Sequence, residues 1–515
     1  LKKYIITICL VFLSAAITTE AYAGYCLNAN KGFKTSSMIK RYLTDLAANS
    51  SGYAVVKTIG KSTGMGKDIT AILITENASW EDNRGKNSVV ITGAIHGNEW
   101  ATPEVCIGIA EYLLENKDND EPARDDRGLL INEGATLKTT RRKGNEIIPE
   151  VTSIKELLKR IQVIIIPVLN PDGYDFSYTD EGRRSFYGAG WRENLRRHQQ
   201  STEVCYQRDG TVFPRPPRDA EHCFLGDYDL TSLGGGVDEE SVIICESIGK
   251  KEISLFQPTL EIDSKDMLDA IYSSDSPRRV FCTSPHRRVW KHEWSADNNT
   301  SISFDKAKAE GYLRDALGVD LNRNFRYKWD VVKGQEHLFI RTRSYASRLY
   351  RGDDIFSENE TRMMERLVKE KNVVALIDYH SGSTQVLYPY AYTKTERVKG
   401  NFFSGKTNLN DYEVFRFISK KIASILNRHD RGDSSIVNFT TGQNYLGSSV
   451  GSGVARDCYY SNERIAALNI EVHDRRYTYE DEEYRTVVPK ICKTNIPGAI
   501  WFLFWAVGIN QRNIY

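Results

Sequence analysis

His96 and Glu99 stand three residues apart in the turn His-Gly-Asn-Glu-Trp at 96–100. An imidazole and a carboxylate at that spacing can both reach one metal ion. His380 supplies a second imidazole. Two imidazoles and one carboxylate, with one position left open, form the ligand set of a catalytic zinc and not of a closed structural one. Water activated at such a centre needs a base, and Glu471 is the candidate. A developing oxyanion needs a fixed cation, which Arg192 or Arg323 could provide. Arginine is also the side chain that grips a carboxylate bidentately. These residue types point to zinc-assisted hydrolysis of a substrate that bears a carboxylate.

Residues so far apart in the chain need a scaffold to meet. The β-branched run at 88–95 leads to His96, and that at 163–169 leads to Asn170. The run at 372–379 ends in His380, and that at 466–470 ends in Glu471. Four apolar runs that each end in a polar residue predict an α/β fold. Its mainly parallel sheet carries the site along the carboxyl edge. Behind His96, Thr102 reads as a helix N-cap and Pro103 as the first helical residue. Helices are also expected at Ser36–Ala48, 358–371, 412–427 and 489–508, a hairpin at 53–60 and 68–75, and a dense turn at 170–174. The apolar run at 499–507 is about half a membrane span, so it reads as a core helix rather than an anchor.

Lys2 and Lys3, a short apolar stretch and Ala21-Tyr22-Ala23 predict an export signal over 1–23, with the working chain at 24–515 and a periplasmic or secreted location. Eight of the nine cysteines follow that signal, and an even number in an oxidising compartment suggests disulfides. Four of them fall in 199–310, a stretch with only short apolar runs that reads as an inserted, disulfide-rich lobe. Cys205 with Cys223 and Cys245 with Cys282 would close loops inside it. Lys and Arg number 69 against 68 Asp and Glu, a balance that leaves no electrostatic footprint for nucleic acid.

The motifs resemble those of zinc carboxypeptidases of the carboxypeptidase A type, itself a standard instance of a two-His, one-Glu zinc site. The matching pieces run in family order. They are His-Gly-Asn-Glu-Trp at 96–100, Asn-Pro-Asp-Gly-Tyr at 170–174, Trp191-Arg192, Gly-Val-Asp-Leu-Asn-Arg-Asn-Phe at 318–325, His-Ser-Gly-Ser at 380–383 and Ile-Glu-Val at 470–472. The resemblance implies a mixed, largely parallel central sheet flanked by helices and interrupted by the lobe. It implies one zinc ion on His96, Glu99 and His380, with Glu471 as general base and proton shuttle. Arg192 would polarise the scissile carbonyl. Asn322 and Arg323 would hold the substrate's terminal carboxylate. Asp320 would orient His96, and Tyr445 would close over the substrate. The substrates would be peptide or protein C-termini.

Two departures from the family pattern matter. Asn98 stands where the digestive enzymes have arginine, and the stretch from Tyr445 to Asp457 is longer than usual, which makes Tyr459 and Tyr460 rivals of Tyr445. In the family, the residue before an Asp fourteen positions ahead of the catalytic Glu sets the side-chain preference. Asp457 stands fourteen ahead of Glu471, so Arg456 falls on that position. A forked cation there suits a C-terminal Glu or Asp, or another carboxylate-bearing side chain such as diaminopimelate. Three other readings compete. One is a carboxypeptidase trimming peptidoglycan stem peptides. Another is an amidohydrolase of the aspartoacylase or desuccinylase type, which shares the His-Gly-Asn-Glu and Asp-Leu-Asn-Arg pieces. The third is a non-catalytic binding protein on the same fold.

Overall fold

Val89, Val90 and Ile91 sit in the middle of the sheet with no exposure. Side chains alternate across a strand. Val89 and Ile91 therefore join one core with Val105 and Ile109 of one helix and Ile500 and Leu503 of another. Val90 joins a second core with Met364, Leu367 and Tyr459. A strand covered on both faces has to be apolar at every position, which is why these runs do not alternate with polar residues. Each fully buried side chain of this size contributes roughly 1.5–3 kcal/mol, so a one-residue slip in register is strongly disfavoured.

The computed structural model describes residue 26 and residues 31–82, 85–125, 128–133, 135, 151–179, 182–183, 190–196, 318–331, 349–403, 409–429, 438–447, 449–474 and 480–509, with the backbone alone of short strands between 142 and 317. In chain order the main elements are α1 Ser36–Ala48, β1 Ala54–Lys61, β2 Asp68–Ile74, β3 Asn87–Thr92, α2 Ala101–Glu115, α3 Ile154–Arg160, β4 Ile161–Ile166 and α4 Pro171–Ser177. They continue with α5 Asn359–Glu370, β5 Val373–His380, β6 Ser383–Leu387, α6 Asp411–His429, β7 Thr440–Gly442, α7 Ala455–Glu463, β8 Ala466–His473 and α8 Asp481–Val507.

Eight strands form one mixed sheet in the order β1-β2-β4-β3-β5-β8-β6-β7. The central four, β4, β3, β5 and β8, run parallel. β1, β2 and β4 pair antiparallel on one side, and β6 pairs antiparallel with β8 on the other. Helices α2, α6 and α8 pack on one face, and α5 and α7 on the other. The expected α/β architecture is the observed one.

Several local expectations need correction. α2 begins at Ala101, with Trp100 at the cap position, so Pro103 is not its first residue. Thr102 is not the cap, because its hydroxyl is used differently. It donates to Glu99 O and accepts from Ala94 N, both at 2.8 Å, and so ties the helix back to the loop leaving β3. Residues 170–174 are not an open turn: Asn170 caps α4, its Oδ1 accepting from Gly173 N at 2.9 Å. β3 ends at Thr92, four residues before His96, and β4 ends at Ile166. Glu471 lies inside β8 and not at its end. α8 starts eight residues earlier than expected and contains Pro489 and Pro497. Asp481, Glu482 and Glu483 in its first turn suit the positive end of the helix dipole.

The apolar end of α8 is buried in the core. Among the described residues no helix is long and apolar enough to cross a membrane. Cys26 and Cys492, 466 residues apart, form a disulfide. It fits because Gly108 of α2 lies under it: a Cβ there would come within 2.4 Å of Cys492 Sγ and 2.8 Å of Cys26 Sγ. Cys106 and Cys458 are buried free thiols. The expected export signal and the expected lobe pairings Cys205–Cys223 and Cys245–Cys282 lie outside the described residues. The backbone strands His222–Gly226 and Val242–Ser247 pair antiparallel with Cys223 opposite Cys245.

Candidate metal centre

The loop that carries His96 is pinned to the loop that follows β4. Leu169 N donates to Gly93 O and Asn170 N to Ala94 O, both at 3.0 Å. Asn170 Nδ2 reaches Ile95 O at 3.2 Å. Asn170 is fully buried and therefore positions the turn; it is not a reacting group. Two glycines let the turns interlock. A Cβ on Gly97 would meet the Gly173 carbonyl at 2.4 Å, and one on Gly173 would meet Glu193 O at 1.9 Å. Neither backbone could yield to a side chain. Gly97 N then donates to Arg192 O at 2.8 Å, which brings Arg192 beside the turn.

His96, Glu99 and His380 converge in this pocket, all three buried, with one ligand atom from each lying within 4.8 Å of the others. His96 Nδ1 lies 2.8 Å from Glu99 Oε1, and His380 Nδ1 lies 3.2 Å from Glu99 Oε2. The two Nδ1 atoms are 3.2 Å apart. Each ring turns its other nitrogen to a carboxylate: His96 Nε2 to Asp320 Oδ1 at 3.2 Å, His380 Nε2 to Asp378 Oδ2 at 2.8 Å. This is the arrangement in which an outer carboxylate fixes the tautomer and orientation of a metal-binding imidazole.

The electrostatics ask for a cation. Burial works against the charged forms, but the two imidazoles hold the Glu99 carboxyl well below its ordinary range. Burial likewise opposes charge on His380, yet Asp378 and Glu99 raise its pKa to about 10. Burial opposes ionisation of Asp320 too, but Arg192 and Arg323 outweigh it and keep that carboxyl well below its usual range. Three carboxylates around two imidazoles favour positive charge between the rings, from protons or a divalent ion. Two nitrogens and an oxygen are a donor set that zinc takes readily.

The remaining sequence-derived residues gather around this point. Arg192 donates from Nε to Asp320 Oδ2 at 3.1 Å, and its guanidinium comes within 3.8 Å of Glu99 Oε1. Glu471 is the register partner of His380 on the neighbouring parallel strand, and it is buried. Asp320 caps a short 3-10 turn, Leu321–Arg323, accepting from Asn322 N at 2.9 Å. Asn322 Nδ2 sits 3.4 Å from His380 Nε2, while its Oδ1 accepts from Ala455 N at 2.9 Å. Arg323 donates to Asn322 O at 2.8 Å, and its guanidinium passes over Gly451, where a Cβ would come within 3.3 Å.

Tyr445 donates its hydroxyl to Gly382 O, two residues past His380. Tyr459 is buried in the second core, against Phe325, and Tyr460 donates its hydroxyl to Asp411 Oδ2 at 3.0 Å. Arg456 opens the first turn of α7, 4 % exposed, and donates to Gln443 O. Burial lowers the pKa of its guanidinium, outweighing the opposing pull of the Asp457, Glu471 and Asp378 carboxylates.

Asp378 escaped the sequence reading. Its signal was nonetheless there, because Asp-Tyr-His at 378–380 puts the carboxylate and the imidazole on one face of a strand. Thr92 of β3 donates to its other oxygen at 2.6 Å.

A family model described as zinc carboxypeptidase matches residues 39–126, 145–211 and 280–490. Over 120 residues the chain is 32 % identical to the inactive metallocarboxypeptidase ECM14 of Ajellomyces dermatitidis, which covers 22 % of this chain and 18 % of that protein. Over 107 residues it is 33 % identical to mast cell carboxypeptidase A of Rattus norvegicus, covering 20 % and 23 %. The matched stretch thus spans about a fifth of these curated relatives. Carboxypeptidase A from Helicoverpa armigera has the same fold, with a TM-score of 0.51 at 16 % identity, covering 93 % of this chain and 75 % of that one. Thrombin activatable fibrinolysis inhibitor matches at 0.50 and 14 % identity, covering 93 % and 74 %.

Proposed function

The chain belongs to the zinc carboxypeptidase family, and on that footing we propose that it is a zinc-dependent metallocarboxypeptidase that removes the C-terminal residue of peptides or proteins. The observation that carries the reading is the convergence of His96, Glu99 and His380, each imidazole backed by a carboxylate, beside Glu471. These three residues would hold one zinc ion, which when bound lowers the pKa of water and polarises a carbonyl.

The rest is the work of the chain's own side chains. Glu471 takes a proton from the attacking water and returns it to the leaving amine. Arg192, held at Asp320 and close to Glu99, stabilises negative charge as it develops on the carbonyl oxygen. Asn322 and Arg323 grip the free α-carboxylate, which restricts cleavage to the chain end. Tyr445 covers the bound residue. Arg456 lines the specificity pocket and favours a C-terminal side chain that bears a carboxylate. A neutral side chain would leave its buried charge without a ligand partner. Residues 1–23 direct export, and 199–310 form a lobe inserted in a single catalytic domain at 24–515.

A second reading has one observation in its favour, since curated relatives are named inactive metallocarboxypeptidases. This chain retains His96, Glu99, His380 and Glu471, which favours catalysis. The deciding experiment measures zinc content and turnover of a ladder of C-terminal peptides, with purified muropeptides and a short N-acyl amino acid alongside. Stoichiometric zinc with release of C-terminal residues, abolished by a chelator and restored by zinc, is expected. Metal-free protein that is fully active, or zinc-loaded protein with no turnover on any peptide, would overturn the reading. Activity on muropeptides alone would move the substrate to the cell wall. Activity on the N-acyl amino acid alone would make it an amidohydrolase.

A further inference from the structure

We infer that Phe33 is a positioning residue of the metal centre. Seated among the rings of Trp100, Tyr174, Tyr178 and Tyr484, it holds the turn that carries His96 and Glu99, and the Cys26–Cys492 disulfide fastens it there. The inference rests on His96, Glu99 and His380 as the zinc ligands.

The ligand turn is gripped at both ends. Gly97 follows His96, and Trp100 follows Glu99. Trp100 Nε1 donates to Ser177 Oγ at 2.7 Å, and that hydroxyl lies 2.7 Å from Gly97 O. The indole thereby ties the two ends of the turn to one serine of α4. Trp100 is buried and stands at the cap position of α2, where it makes no side-chain capping bond. Its ring is fixed by packing instead. The Phe33 ring centroid lies 4.8 Å from that of Trp100, 4.8 Å from that of Tyr174 and 4.1 Å from that of Tyr178, the last pair within 3° of parallel. These are the separations of favourable aromatic pairs. Tyr178 follows Ser177 in sequence, so Phe33 packs against both sides of the Trp100–Ser177 bond. Arg183 adds a guanidinium 5.2 Å from the Trp100 ring.

Phe33 is itself held on either side in sequence. The Lys34 ammonium meets Glu104 Oε1 of the first turn of α2 at 2.6 Å, both side chains buried. Ser36 donates from N and from Oγ to the two Asp175 oxygens of α4, at 2.7 and 2.6 Å. Cys26 is bonded to Cys492 of α8, and its N donates to Glu111 Oε2 of α2 at 2.9 Å. These contacts fasten the sequence ahead of α1 to α2, α4 and α8. Ligands held in place before the metal arrives lose less freedom when it binds, so the hold raises affinity. A ring that only filled the core would support folding equally with and without the metal. A ring that holds the ligand turn changes metal affinity as well.

The test measures zinc affinity against a competing chelator, and thermal unfolding with and without zinc. Phe33→Leu keeps apolar bulk and removes the ring. It should weaken zinc binding by about tenfold, the lower end of what losing a partner outside the ligands costs. The rise in Tm on adding zinc should shrink with it. Phe33→Tyr keeps the ring and should bind zinc as the parent does. The double variant Cys26→Ser, Cys492→Ser leaves the ring cage whole and should weaken zinc in the same direction. Ile418→Val, in the buried core on α6, is the control: it should lower Tm and leave zinc affinity at the parental value. Parental affinity in Phe33→Leu or in the disulfide variant would overturn the inference, because ring and disulfide would then serve folding alone. An equal loss of affinity in Ile418→Val would overturn it too. If Phe33→Leu does not fold, the disulfide variant decides. A parent that binds no zinc would remove the reading of the centre and this inference with it, whereas a zinc-binding parent with indifferent variants removes the inference alone.

Discussion

Asp378 Oδ2 lies 2.8 Å from His380 Nε2, two residues away on the same strand, and Thr92 of the adjacent strand bonds its other oxygen at 2.6 Å. The imidazole of His380 is therefore aimed from behind, which leaves Nδ1 to face Glu99 and His96. Removing the charge while keeping the shape should loosen the metal without unfolding the sheet. Asp378→Asn is expected to weaken zinc binding about 10–100-fold, the usual cost of losing such an outer partner. Titration against a competing chelator measures it, and an unchanged affinity would mean that Asp378 serves the sheet alone.

Glu471 should carry chemistry and not metal. Glu471→Gln keeps the volume and removes the base, so turnover should fall by at least ~100-fold while zinc content stays at one ion per chain. Normal turnover would place the base elsewhere. Loss of zinc would make Glu471 a ligand instead.

Arg323 should read the free end of the substrate. In Arg323→Ala, hydrolysis of peptide acids should drop steeply. Peptides with an amidated C-terminus should already be poor substrates of the parent. The cost of one charge-assisted pair is about 1.5–3 kcal/mol, roughly a 10–100-fold change. Equal cleavage of acid and amide, or cuts in mid-chain, would show that the enzyme is not an exopeptidase.

Glu360 predicts a pH dependence of stability. Burial raises its pKa to about 7, and the Glu358 carboxylate adds to the shift, against hydrogen bonds from Thr63. Between the ordinary value of 4.5 and 7, the folded chain keeps a proton that the unfolded chain has released. Stability contributed by this group is thus complete below about pH 4.5 and is lost as the pH rises through 7. Glu360→Gln should remove that slope, so the variant gains more on the parent at pH 8 than at pH 5. Denaturant unfolding at the two pH values tests this, and a gain independent of pH would refute it.

Much of this molecule is written in local sequence. Apolar runs two layers deep can only be covered strands, and they specify the parallel middle of the sheet. α1 appears over Ser36–Ala48 as its composition requires, with Thr35 accepting from Met38 N at its start. The pair His96 and Glu99 is itself local, because three residues of one turn keep both side chains together.

What the sequence left open are relationships between distant segments. Asn170 ends an apolar run as His96 and His380 do, yet it turns into the protein to hold the neighbouring loop, while they turn to the metal pocket. Thr102 looks like a cap but bonds backward to Ala94, because the loop from β3 happens to pass there. Asp320 reaches both His96 and Arg192 across more than a hundred residues of chain. Cys26 finds Cys492 only because α2 places a glycine where the two sulfurs meet. Side-chain period and turn chemistry act over a few residues, so they determine elements and nearby pairs. Which loops lie side by side depends on the order β4-β3-β5-β8 and on close packing between layers. Those are properties of the assembled chain, and they decide which polar groups face the site and which are spent holding it together.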